Sequence, residues 1–304
     1  MDEVVAGLFS GYARWRSLRY LSATRGNFVT LAGYLHLPDP DLRRTISALC
    51  RGGLGSGSTC GVLSGSCIAV AAAHMAEIIA CEGKAQHLYA RSRELTSWFE
   101  NRFGGTLCRE IAGEEMGSIP GSLGWLAKGK AVRCCVISGR TDAKAAELMD
   151  RPLEWREPSA VDRKLAHQGG YCGAEVMASI RSDTGLGSLY LERLSMALDG
   201  GTALSGGLCG ALGAAILSLG LLDGAARPLR SIFGLRDENT ARRQSLVSSF
   251  HERFGSLECR VLTGEAFPGP LELSEHILGG GCAEIQDWCA GTASNIILDG
   301  MRFL

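Results

Sequence analysis

Apolar residues recur at spacings of three and four along most of the chain, the rhythm of amphipathic helices. "DLRRTISALC" (41–50), "YLERLSMAL" (190–198) and "ARRQSLVSSFHERF" (241–254) all follow it. "DAKAAELM" (142–149) is alanine-rich and a good helix former. "CGAEVMASI" (172–180) and "CGALGAAILSLGLL" (209–222) each read as the first turns of a helix leaving a glycine. No clear run alternates as a strand does, apart from short ambiguous pieces such as "AVRCCVI" (131–137). The pattern predicts an all-α protein.

The same pattern occurs twice. "FENRFGGTLCREIAG" (99–113) and "FHERFGSLECRVLTG" (250–264) align without gaps and share seven of fifteen residues. "ISALCRGGLGSGSTCGVLSG" (46–65) and "SMALDGGTALSGGLCGALGA" (195–214) place Cys60 on Cys209, each behind a glycine-rich loop. The offsets, 151 and 149 residues, nearly agree. A tandem duplication follows, with a seam in the charged, proline-containing stretch 150–164. We expect two helical repeats, 1–157 and 158–304, packed against each other about a pseudo-twofold axis.

Composition narrows the function. With 46% hydrophobic residues in 304, the chain can bury a large core, and a net charge of −1 lacks the basic excess of most nucleic-acid binders. "YARWRSLRY" (12–20) reads as a helix with a solvated arginine face. The uncharged run 200–222 is long enough to span a membrane, but its first third is Gly, Ser and Thr, so it predicts a buried helix behind a glycine loop. The N-terminal stretch does not read as a secretory signal, and a cytoplasmic location is expected. There thiols stay reduced, and twelve cysteines point to metal binding or redox work. The compact Cys-x-x-Cys pairs of zinc fingers do not occur.

Four cysteines of the second half stand at instructive places. Cys172 and Cys209 sit where helices begin, Cys259 follows a Phe-Gly turn, and Cys289 opens the expected last helix. Helix N-termini favour a thiolate, which both ligates metals and attacks disulfides, and Arg109 and Arg260 would add positive field. Cys282 follows three glycines, which could instead end the preceding helix. Cys67 and Cys81 read as core, as does His74; His167 and His276 are weaker candidate ligands.

Together "YCGAEVMASI", "GGLCGALGAAILSLGL", "FHERFGSLECRVLTG" and "WCAGTASNIILDG" resemble the C_GCAxxG_C_C family of redox-active proteins, related to a module of the split-Soret cytochromes. The resemblance covers most of 165–304 and, more weakly, 20–150. It implies a ligand set of Cys172, Cys209, Cys259 and Cys289. In the first half it maps Cys60 and Cys108 onto the second and third positions, and Cys134 or Cys135 onto the fourth. The first position departs: Ala23 stands there, and nearby Cys50 aligns with Asp199. The first site is then either degenerate or completed by Cys50.

The leading expectation is an iron–sulfur cluster and electron transfer. A cofactor-free thiol–disulfide protein comes next, then a zinc-held structural subunit. A redox partner protein is implied but not identified, with no nucleic acid and no membrane span. A homo-oligomer and a subunit of a larger redox complex both remain open.

Overall fold

The computed structural model describes residues 3–19, 22–36, 40–80, 85–114, 119–152, 160, 170–222 and 238–301. Helix α1 (Glu3–Arg19) precedes the first repeat. That repeat runs α2 (Ala23–Tyr34), α3 (Pro40–Ser47), α4 (Gly61–Ala80), α5 (Ala85–Phe103), α6 (Cys108–Ala112), α7 (Ile119–Ala127) and α8 (Lys130–Asp150). The second runs α9 (Cys172–Thr184), α10 (Leu189–Ser195) with a 3₁₀ turn (Met196–Leu198), α11 (Gly210–Gly220), α12 (Glu238–Phe254), α13 (Cys259–Leu262), α14 (Pro270–Leu278) and α15 (Ala283–Met301). The described residues form no strand, and "AVRCCVI" lies within α8. The two halves therefore share one element order, as the repeat predicts. The boundary expected at 157/158 and most of the seam lie outside the described residues.

Helix α4 packs on α2, α5 and α8, and α11 occupies the matching place against α9, α12 and α15. The uncharged run is divided as expected: loop to Cys209, then α11, every residue of which is buried. No helix among the described residues is long and apolar enough to cross a membrane. Phe99 and Phe250, aligned by the repeat, are both fully buried, and each meets a second ring 4.8 Å away (Phe103 and Phe254). Such ring pairs add roughly 0.5–1.5 kcal/mol beyond the burial itself. On α1, Arg16 lies over the Tyr12 ring and Arg19 over Trp15, with both rings about half exposed.

The halves touch through equivalent residues. The Leu208 N–H donates to Thr59 Oγ1 at 2.7 Å, and these two positions are 149 apart. Contact between matched residues marks a two-fold arrangement. Arg109 pairs with Glu258, and the Tyr89 hydroxyl donates to Asp199 Oδ2 at 2.7 Å.

One buried polar pair carries a pH signature. Asn27 Nδ2 donates to Ser66 Oγ at 2.9 Å and to Asp142 Oδ1. Asn27 Oδ1 and Asp142 Oδ2 have no partner among the described residues. Protonating Asp142 at Oδ2 lets it donate to Asn27 Oδ1 and close a cyclic pair, and burial pushes this carboxyl well above the usual range. A carboxyl raised on folding costs stability as pH rises above its unfolded value, at about 1.4 kcal/mol per pH unit until the folded group ionises. Asp142→Asn keeps a donor at that site and does not ionise. Its stability relative to the parent is expected to rise with pH from about 4 upward, read by urea unfolding at several pH values. A constant difference across pH would show that Asp142 is not held neutral.

Candidate thiol sites

The glycine-rich loops before Cys60 and Cys209 adopt one conformation. Residues 51–55 and 57, and 200–204 and 206, all have positive φ, including the non-glycines Arg51, Leu54, Thr202, Ala203 and Leu204. In both, backbone N–H groups bond back across the turn: Leu54 to the Ala48 carbonyl at 3.1 Å, and Ala203 to that of Ala197 at 3.0 Å. A left-handed turn costs L-residues roughly 1–2 kcal/mol each, which is why glycine fills half of it. The next residues tie the second cysteine to the third. Cys60 N–H donates to Thr106 O (2.8 Å) and Cys108 N–H to Ser58 O (2.7 Å); Cys209 and Leu257, and Cys259 and Gly207, repeat this at 2.8 and 2.7 Å. Each half thus has a backbone clamp that holds two cysteines at helix starts.

Arg109 and Arg260 brace this clamp. Arg260 donates to the carbonyls of Ser205 (2.9 Å) and Gly206 (3.3 Å), while Arg109 goes to Glu258. Their guanidinium groups are engaged with the loop and the other half, not with the thiols.

The two sites differ in size. The first is a cavity of about 230 Å³ whose wall includes Cys50, Cys60, Cys108, Cys134 and Cys135, with Leu126 and Ile137 among its apolar residues. The second is a void of about 10 Å³ whose lining includes Cys172, Cys209, Cys259 and Cys282. That is near the limit for one water, whereas the first exceeds it many times over. Among the described residues no three Cys, His, Asp or Glu side chains are placed to share one metal ion.

Cys50 also lines the first cavity. Its Sγ lies 2.8 Å from Ser22 Oγ, beside Ala23, so a loop thiol arrives where a helix thiol is missing. In the second half Cys172 supplies the thiol, and Asp199 stands where Cys50 would be. Asp199 Oδ1 accepts from the Gly173 N–H at 2.9 Å, and its other oxygen takes the Tyr89 hydroxyl. Tyr89, Asp199 and Ser22 escaped the sequence reading. The mismatch between Cys50 and Asp199 was the only trace of them.

Cys289 is placed differently from the expectation. The glycines after Leu278 do end α14, and α15 begins at once with Ala283, so Cys289 lies well inside that helix. It is fully buried and does not line the void, whereas Cys282, just before α15, does. Cys134 and Cys135 both reach the first cavity from α8. Cys67 is core, and Cys81 and His167 lie outside the described residues. His74 is buried beside Arg91, at 3.2 Å, and His276 packs on Phe267.

The expected lowering of thiol pKa at helix starts is reversed by burial. Cys60 is pushed up by desolvation despite the N–H groups of Val62 and Leu63, and Cys209 reaches about 11 despite those of Leu212 and Ala211. Burial also raises Cys108, Cys134 (to about 12), Cys135 and Cys259. Desolvating a charge outweighs the partial charge of a helix end. Cys282 alone among these goes down, because the Cys172 thiol hydrogen-bonds to it. Cys172 rises correspondingly.

A family profile described as "Putative redox-active protein (C_GCAxxG_C_C)" matches residues 25–148 and again 170–296. No curated protein and no solved structure matches the chain. The two profile matches coincide with the two clamps and their cysteines, and the chain belongs to the C_GCAxxG_C_C family, whose module it carries twice.

Proposed function

We propose that this redox-family protein holds an iron–sulfur cluster in its first half and uses it for electron transfer. The observation that carries the reading is the 230 Å³ cavity with five cysteines on its wall. The donor set fits. Thiolates are the ligands of such clusters. Cys60 and Cys108 would be held by the backbone clamp, Cys50 by the loop and Cys134 by α8, with Cys135 beside it. A bound cluster would supply one-electron chemistry. Burial raises the thiol pKa of Cys60, Cys108, Cys134 and Cys135, and metal binding would release their protons. The surrounding apolar residues would keep water from the site.

The second set leaves less room, a void of about 10 Å³ lined in part by Cys172, Cys209, Cys259 and Cys282. Purification without oxygen, followed by visible absorbance and assays of iron, zinc and acid-labile sulfide, tests the reading. Iron, sulfide and a charge-transfer band are expected in the parent and in Cys209→Ser, and their loss in Cys60→Ser. Zinc without iron, or a colourless protein with every thiol titratable, would overturn it.

A further inference from the structure

Trp125 lies on α7, on the wall of the large cavity. Several buried side-chain nitrogens and oxygens hydrogen-bond to none of the described residues, and the indole Nε1 of Trp125 is the one among them on that wall. Two hydroxyls of the same wall are committed elsewhere. Ser17 Oγ donates to Ser138 Oγ at 2.9 Å, and Ser22 Oγ accepts from the Arg25 backbone N–H at 3.2 Å. An indole nitrogen can only donate, and burying a donor without an acceptor costs stability. The wall therefore suits an occupant that brings acceptors, which an apolar molecule does not. Burial pushes the Cys134 thiol up to about 12 and the indole N–H acts against this, yet the two groups do not meet in hydrogen-bonding geometry.

The second half is built differently here. Helices α7 and α14 match at the repeat offset of 151, which sets His276 opposite Trp125. The His276 ring packs on Phe267, with 5.2 Å between centroids, and is not on the wall of the small void. A ring donor on the wall thus accompanies the large cavity and not the small one. We propose that Trp125 Nε1–H donates to a sulfur of the cluster held in the first cavity and so raises its reduction potential. This rests on the cluster reading above. Reduction adds negative charge, which the sulfurs share, and a donor directed at them favours the reduced form.

To test it, the full-length parent and Trp125→Phe are purified without oxygen, assayed for iron and sulfide, and titrated with redox dyes. Trp125→Phe keeps a ring but no donor. It should hold as much iron as the parent while its one-electron reduction equilibrium falls about tenfold, or about 59 mV. Resonance Raman spectra give a second readout. The Fe–S stretching bands of the parent should shift in D2O, and the shift should shrink in Trp125→Phe. Leu126→Ala, which alters the same helix and wall without touching a donor, should leave the deuterium shift intact. If Trp125→Phe bound no iron, Trp125→His would decide: iron regained with a ring N–H supports the proposal, and iron still absent overturns it. Iron retained in Trp125→Phe, with potential and deuterium shift unchanged, would overturn this proposal and leave the cluster reading standing. A parent without iron would overturn both.

Discussion

Gly201→Ala should be the most damaging small substitution in the second half. Gly201 sits at φ 82°, and an added Cβ would lie 2.5 Å from Gly207 N and 2.6 Å from Gly207 O. Both are backbone atoms of the segment that clamps Cys259, so neither can swing away as a side-chain tip could. The left-handed conformation costs about 1–2 kcal/mol for alanine, and forcing the clamp apart adds about 1–3 kcal/mol. Against a domain stability of about 5–15 kcal/mol, that loss is a large fraction. Gly52→Ala repeats the experiment in the first half, where the Cβ would meet Ser58 N at 2.5 Å and Ser58 O at 2.6 Å. Gly255→Ala is the control: its φ is 77°, but nothing lies within 4 Å of the added Cβ. Urea unfolding followed by circular dichroism should show Gly201→Ala losing at least twice as much stability as Gly255→Ala (roughly 2–5 against 1–2 kcal/mol). Equal losses would mean that the turn yields freely and that the clamp is not rigid.

The reduced, metal-free chain should lose stability between about pH 4 and pH 7 because of Asp199. Burial, opposed by the Gly173 N–H and the Tyr89 hydroxyl, pushes this carboxyl from 3.8 to about 7. Glu175 and the neighbouring thiols Cys172, Cys209 and Cys282 also face it, and none of them brings positive charge. The folded state holds the proton more tightly than the unfolded chain does. Stability is therefore greatest below the unfolded pKa, falls as pH rises, and levels off once the folded group has ionised. About three units of separation correspond to a fall on the order of 4 kcal/mol. Asp199→Asn removes the ionisation but misplaces one partner of Tyr89, at a cost of about 1 kcal/mol. The variant should be less stable than the parent at pH 4 and more stable at pH 8, so the two curves should cross. Parallel curves would show that Asp199 stays ionised throughout.

The helices and the duplication were legible because both are written in local spacing. Period 3.6 needs only a window of the sequence, and the shared Phe-Gly-x-x-x-Cys-Arg segments needed only alignment. The positions of Cys172 and Cys209 at helix starts followed from the glycines around them. Cys289 was misplaced because three glycines were weighed as an end to one helix, without the matching inference that the next begins immediately. The thiol pKa values depend on burial, which comes from the whole fold and overrides the helix-end effect visible in sequence. The contrast between a large cavity and a small void depends on how far apart helices stand, and no local pattern encodes that. The bond from Tyr89 to Asp199 joins residues 110 apart and in different halves.

The matched contact of Thr59 with Leu208 is the geometry of a dimer, yet here both partners belong to one polypeptide. In a dimer of identical chains, any change near the axis appears on both sides. The fused chain escapes that constraint. The partner positions of Asp199 and Tyr89 hold Cys50 and Thr240, so an asymmetric bond can cross between halves without a mirror image that has to be accommodated. Fusion also fixes the ratio of the two modules at one to one and makes their association intramolecular, hence independent of dilution. Two thiol sites of different size can then be inherited, expressed and kept together as a single gene product.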